Sequence, residues 1–215
     1  MMAAVDNDVI HKFACYGLGA ELLESVAGPP TDLGVLSSAR YVLPRKLRTA
    51  PLRRSNAAAL QHLTALLSVA TVLEPTATEQ ELAADFESVA QGRGLSLDVG
   101  ESQLCAIVIE RGVRFLITGD KRAVVSIDRL LDDEWRLEAL KGRIRCLEQL
   151  VKHLLSDGPR FSGVREAICS EPAVDTALTM CFGCWGAGST LGAVIEALDS
   201  YIRDLRSRAA RVLCP

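Results

Sequence analysis

Apolar and polar positions along the chain fall into blocks, and the most informative block runs from Leu95 to Arg122. Leu104, Ile107 and Val108 sit at i, i+3, i+4 spacing, which gives a helix one apolar face. Gly112 supplies the left-handed residue that ends such a helix. Val113 to Thr118 is then a short apolar run, the pattern of a strand covered on both faces. Glu101 opens this helix, and Asp120 follows this strand.

The same reading extends over the rest of the chain. Met1 to Val5 is an apolar strand ending in Asp6-Asn7-Asp8, with a helix next and Asp8 as its cap. Gly28-Pro29-Pro30 is a break, and Leu33 to Leu43 holds a second strand and a short helix. Asn56 to Val72, rich in Ala and Leu, reads as helix. Thr78 with Glu81 makes a capping box for the next helix, whose buried stripe is Leu82, Phe86 and Val89 and which Gly92 stops. Leu95 to Leu97 reads as a brief strand, Ala123 to Leu131 as helix, and Asp132-Asp133-Glu134 as a solvated acidic turn. Arg143 to Leu147 alternates as a last strand, and a helix starts near Glu148. From Phe161 onward the pattern is helical, with a loop from Gly183 to Gly188.

Strands alternating with helices predict an α/β fold. The expectation is a three-layer sandwich around a central, mostly parallel sheet in residues 1–156, with an all-helical C-terminal extension over 157–215. In that extension Leu191, Ile195, Leu198, Ile202, Leu205, Ala209 and Val212 are spaced alternately by four and three, the seam of helix–helix packing. Such a seam must be covered. Three heptads are short for a free coiled coil, so packing on the helices around Val164 to Phe182 is expected. A homodimer or a regulatory protein docked on the same helices is the alternative.

Composition narrows the function. With 49% hydrophobic residues in 215, the chain can build a real core. A net charge of −3 excludes a protein that binds nucleic acid by its overall charge, so any such contact must be local. No apolar run approaches the ~20 residues of a membrane span, and no basic-then-apolar leader is present, so a cytoplasmic location is expected. Between Leu33 and Leu73 there is no Asp or Glu. That gap holds Arg40, Arg45, Lys46, Arg48, Arg53 and Arg54, a candidate RNA-phosphate surface as well as an ordinary solvated face. Seven cysteines, an odd count without regular spacing, read as buried free thiols of a reducing compartment. Cys181-Phe-Gly-Cys184 is a single CxxC with only His153 and Cys169 as loose metal partners, so packing is the expected role.

Each acid of the central block has a plain structural use. Asp98 and Glu101 have the spacing of a reciprocal helix cap, and Asp120 can cap the helix after it. Jointly they do more: with Asp6, carboxylates stand at three separate strand-to-helix junctions on the same edge of the expected sheet. Carboxylates gathered on one rim repel, and a divalent cation such as Mg²⁺ or Mn²⁺ relieves that repulsion while keeping several waters.

These residues resemble the PIN-domain ribonucleases, in which an Asp ends the first strand, an acid opens a central helix and Thr-x-Asp closes the next strand. The matching positions are Asp6 in Val-Asp-Asn-Asp, Glu101 in Asp-Val-Gly-Glu-Ser, and Asp120 in Thr118-Gly119-Asp120. The resemblance covers residues 1 to about 125 and the strand at 143–147. It implies a PIN-like sheet and a Mg²⁺- or Mn²⁺-dependent endoribonuclease. Asp6, Glu101 and Asp120 would hold the metal and carry catalysis, with Asp8, Asp98 and Glu81 as additional acids. The chain departs from the family after the second strand, where Ala39-Arg40-Tyr41 stands in place of a further acid, leaving Glu81 or Asp85 to substitute.

Two alternatives remain open. A haloacid-dehalogenase-like phosphatase would use Asp6 and Asp8, Ser37 or Ser38, Lys46, and Asp120 with Asp128. A PIN-like scaffold would bind RNA or a protein through the basic segment and the helical tail without turnover.

Overall fold

The computed structural model describes residues 2–26, 33–156, 158–186 and 188–215; Met1 and the Gly28-Pro29-Pro30 break lie outside the described residues. Short, mostly apolar runs form one sheet: β1 (Ala3–Val5), β2 (Leu33–Leu36), β3 (Thr71–Leu73), β4 (Phe115–Thr118) and β5 (Ile144–Cys146). The order is β3-β2-β1-β4-β5, and every neighbouring pair is parallel. Parallel neighbours need crossovers, and helices supply them. α1 (Asn7–Tyr16) and α2 (Gly19–Ser25) follow β1, and α3 (Ala39–Arg48) and α4 (Asn56–Val69) follow β2. α5 (Ala77–Gly92) and α6 (Val99–Glu110) follow β3, and α7 (Lys121–Leu130) with a 3-10 helix (Trp135–Leu140) follows β4. After β5 come α8 (Leu147–Leu155), α9 (Phe161–Ser170), α10 (Thr176–Cys181) and α11 (Leu191–Arg208).

Successive strand residues point to opposite faces, and the core divides accordingly. Ala3, Val5, Leu33, Val35 and Ile117 join one apolar cluster with α1 to α4 and α8 to α10. Ala4, Leu36, Leu116 and Ile144 join the other with α5, α6, α7 and the 3-10 helix. The result is three layers around a sheet buried on both sides.

α11 belongs to both clusters. Its N-terminal half puts Val194 and Leu198 into the first, while Ile202 and Leu205, followed by Ala209 and Val212, enter the second. The seam is therefore covered within the chain, chiefly by α8, α10 and α7. The last residues then run along β5: Ile144 N donates to Val212 O and Cys214 N to Ile144 O, at 3.0 and 2.7 Å. This covers an edge that would otherwise present unpaired backbone groups. Asp128 anchors the turn by accepting from the Arg211 and Val212 amides at 2.8 and 3.2 Å. Among the described residues no helix is long and apolar enough to cross a membrane.

Several expectations fail for local reasons. α4 stops at Val69 because Ala70 turns extended, and Thr71–Leu73 becomes β3; a short β-branched run after a helix has no period of its own to separate it. Leu95 to Leu97 pairs with no described strand; Leu95 and Leu97 lean on the second cluster between the left-handed Gly94 and the Asp98 cap. The box on α5 is Thr76 with Glu79, not Thr78 with Glu81. Glu79 is drawn inward by Arg111, whose Nε lies 2.6 Å from Oε1, a long-range pairing with no local signature. α1 starts two residues earlier than expected, with Asp6 at the cap position, so Asp8 lies in the first turn and is not its cap. Glu134 is buried and caps the 3-10 helix through the Arg136 amide, so the acidic turn is not simply solvated. Cys169 and Cys184 form a disulfide, against the expectation of free thiols throughout, because the turn after α9 folds the two together. The other five cysteines are free.

Ile202→Asp places a carboxylate in the covered seam, and burying an unpaired charge costs several kcal/mol. A monomer that melts well below wild type is expected by light scattering and thermal melting. A wild-type melting point would show that the seam is not buried.

Candidate active site: an acidic cleft where the sheet reverses

The chain moves outward from β1 to β2 and β3, then returns to place β4 on the other flank of β1. At such a reversal the connections leave in opposite directions, and a crevice opens beyond the carboxyl ends of the two central strands. Asp6 is the first residue past β1, and Asp120 the second past β4. Thr118, the last residue of β4, is 2% exposed and joins them. Its hydroxyl donates to Asp6 Oδ2 at 3.3 Å and accepts from Asp120 N at 3.1 Å. Glu101 arrives from the first turn of α6, where Asp98 and Glu101 cap each other reciprocally at 2.8 and 3.0 Å.

Asp6, Asp8, Asp98, Glu101 and Asp120 all line this one cleft, of about 810 Å³. Glu81 does not; it is exposed on α5. Asp85 is also elsewhere, paired with Arg136 at 3.0 Å. Burial raises Asp6 to about 6, and Asp8 and Asp98 add to the rise. Burial likewise raises Glu101 to about 8, with Asp98, Asp120 and Asp6 contributing against the Asp98 amide. Burial alone would raise Asp120 too, but Arg122 and the amides of Arg122 and Ala123 hold it below the usual carboxylate range.

Cations stand among the acids. Lys12 Nζ lies 2.5 Å from Asp8 and 2.7 Å from Asp175, the cap of α10. Burial opposes the charge on Lys12, but those two carboxylates outweigh it and raise its pKa. Arg122 pairs with Asp120 at 3.1 Å, and Lys46 stands 4.0 Å from Asp8. A Cβ at Gly119 would run into Asp8 Oδ2 and come within 3.1 Å of Lys12 Nζ, so a side chain there would push this ion pair aside.

The donor chemistry suits a hard divalent cation, which prefers carboxylate oxygens and retained waters. Among the described residues, however, no three His, Cys, Asp or Glu side chains form a ready metal-ligand group. The acids face one cleft, but Asp120 is turned onto Arg122 and Glu101 onto the Asp98 amide. They fit such an ion in kind, once their side chains turn.

Of the basic segment, Lys46 lines the cleft, and Arg40, Arg45 and Arg48 are exposed on α3 with no ion pair to a described residue. Arg53 and Arg54 turn elsewhere: their amides donate to buried Glu171, and the Arg53 guanidinium lies over Trp185. The sequence reading missed Lys12, Asp175 and Arg122. Lys12 carries a local signal, four residues after Asp8 on a helix; Asp175, far along the chain, carries none. No protein-family model and no curated protein matches the chain.

A carboxyl raised in the native state keeps its proton where the unfolded chain, ionising near pH 4, has lost it. The native state then binds more protons, and stability falls as pH rises. Asp6 and Glu101 place this fall between about pH 4 and about pH 8 in metal-free protein. Glu101→Gln keeps the cap geometry and is expected to flatten it in thermal melts. A wild-type slope in that variant would remove Glu101 as the source.

Proposed function

We propose that this chain is a PIN-like, metal-dependent endoribonuclease that hydrolyses RNA phosphodiesters in the acidic cleft. The observation that carries the reading is the convergence of five carboxylates on one cleft at the β1/β4 reversal, two of them joined through Thr118. The parallel sheet and the Thr-Gly-Asp turn after β4 are consistent with it. Asp6, Glu101 and Asp120 would hold Mg²⁺ or Mn²⁺, with Asp8 and Asp98 close by. The ion, when bound, would make a water a better nucleophile and offset charge on the phosphate.

The chain's own residues divide the remaining work. Thr118 sets the spacing of Asp6 and Asp120 by holding one through its proton and the other through its lone pair. The capping box fixes Glu101 to the start of α6. Lys12 holds Asp8 aside, so that this acid does not add an unpaired charge. Lys46 and Arg122 stand where they can meet phosphate oxygens, and Arg40, Arg45 and Arg48 extend the positive surface along α3.

The phosphatase reading is favoured by the presence of Ser38 and Lys46 in the same cleft as Asp6 and Asp8. Against it, Asp8 is bound to Lys12, and Asp128 is committed to Arg211 and the tail, outside the cleft. Covalent phosphate trapped on Asp6 would favour it.

Purified protein incubated with mixed RNAs is expected to cleave with Mn²⁺ and not with chelator. Asp120→Asn should lower that cleavage by at least about 100-fold, the upper end of what losing even an outer-shell metal contact costs, while the thermal melt stays intact. Metal-independent cleavage, or full activity in this variant, would overturn the reading. RNA bound without turnover would favour the scaffold.

Reversing Arg45, Lys46 and Arg48 to Glu is expected to weaken RNA binding and flatten its salt dependence by roughly 0.7 in logarithmic slope per lost contact on single strands. Unchanged affinity at low salt would assign this face to solvent.

A further inference from the structure

Two attachments tie the helical tail to the candidate site, and both lie inside one covalently closed loop. Cys169 lies in the last turn of α9, Cys184 follows α10, and the disulfide between them spans a separation of 15 residues. Within that loop Glu171, 1% exposed, accepts from the Arg53 and Arg54 amides at 2.7 and 2.5 Å, pinning the end of the basic segment. Also within it, Asp175 holds Lys12, and Lys12 holds Asp8 in the acidic cleft. Trp185, next to the bridge, is 67% exposed and carries the Arg53 guanidinium 5.5 Å from its ring centre. One closed loop therefore reaches Asp8 of the cleft through Lys12 and, separately, the end of the basic segment.

The bridge is also within reach of solvent. Cys169 lines an open groove of about 790 Å³ with Arg54, Ser162 and Thr190, and both bridge cysteines are half-buried. Cys15, Cys105, Cys146 and Cys181 are buried, and burial pushes Cys15 and Cys146 up to about 12 and Cys181 up to about 11. Such thiols are poor nucleophiles, so they do not compete for exchange.

We propose that Cys169–Cys184 is a thiol–disulfide exchange site for a dithiol reductant, and that its redox state sets how firmly the tail holds the acidic cleft and the basic segment. In the reduction, a thiolate of the dithiol attacks one bridge sulfur and displaces the other, which takes up a proton. The second thiolate of the reductant then attacks the mixed disulfide and releases the remaining cysteine, which is also protonated. The protein gains two electrons and two protons, and the dithiol leaves as its own disulfide. Opening the bridge returns conformational freedom to the loop, and Glu171 and Asp175 lose the constraint that presents them to Arg53, Arg54 and Lys12. The consequence for RNA cleavage rests on the ribonuclease reading; the mechanical coupling does not.

The test uses the full chain, oxidised with diamide or reduced with dithiothreitol. Alkylation after denaturation is expected to find five thiols in the oxidised protein and seven in the reduced. Hydrogen exchange should be roughly tenfold or more faster in the reduced protein at residues 171–184, 50–56 and 6–12, and unchanged in β4 and β5. Cys184→Ser without reductant should match the reduced pattern. Asp175→Asn should keep the redox response at 171–184 and 50–56 but lose it at 6–12. Seven thiols after oxidation would overturn the proposal. So would equal exchange at 6–12 and 50–56 in the two redox states, whether or not the protein cleaves RNA. Absence of cleavage in both states with the exchange response intact would instead remove the ribonuclease reading alone.

Discussion

One hydroxyl holds together the ends of the two central strands. Thr118 gives its proton to Asp6 and takes one from the Asp120 amide, so the spacing of two carboxylates depends on a side chain buried between them. Removing that hydroxyl would leave Asp6, already reluctant to ionise, with only the amides of Asn7 and Asp8 as donors, and the Asp120 amide without its anchor. A buried polar group that loses its partner costs on the order of 1–3 kcal/mol. The reversal of strand order opens the crevice; this contact decides where the acids stand within it.

Gathering carboxylates destabilises a fold unless something offsets the charge. Here the offset comes from three directions. Helix N-termini contribute amides to Glu101's capping partner and to Asp120, where negative charge is favoured. Arg122 supplies a cation from the same turn. Lys12 supplies another, and because it is shared with Asp175 it ties the cleft to the C-terminal helices. Those helices are in turn secured by α11, which packs into both core clusters, and by Asp128, which grips the last turn. Lys121 on α7 adds a further link, pairing with buried Glu148 and lying over Tyr201 of α11.

Much of this was legible in the sequence, and the losses have identifiable causes. The β1–α1 and α6–β4–α7 segments follow their hydrophobic periods closely, because a strand buried on both faces must be apolar throughout. The Asp98–Glu101 cap could be read because it is local and has a fixed spacing. Asp6 and Asp120 reach one cleft from their places after β1 and β4, whereas Glu101 reaches it from the cap of α6, with no strand before it. What escaped was long-range or weakly periodic. β3 has three residues and no alternation to speak of. Glu79 outcompeted Glu81 for the cap because Arg111 lies across from it in space. The Cys169–Cys184 bridge and the Lys12–Asp175 pair join segments whose proximity no spacing rule encodes.

On the ribonuclease reading, the structural duties of the acids would both limit their freedom and set what an ion has to displace. A carboxylate on a free rotamer must lose conformational freedom to bind an ion, whereas one held by helix amides and a neighbouring hydroxyl has already lost most of it. Glu101 is held this way by the Asp98 amide, and Asp120 by two amides and Arg122. The same contacts set the threshold for a cation. It must displace Arg122 from Asp120 and a proton from Glu101, whose burial favours the neutral form. Only a ligand with concentrated positive charge, able to interact with several of these carboxylates together, changes that balance. A monovalent cation spread over one contact gains too little to do so. On the ribonuclease reading, the arrangement of these caps would favour a divalent over a monovalent cation before any substrate enters.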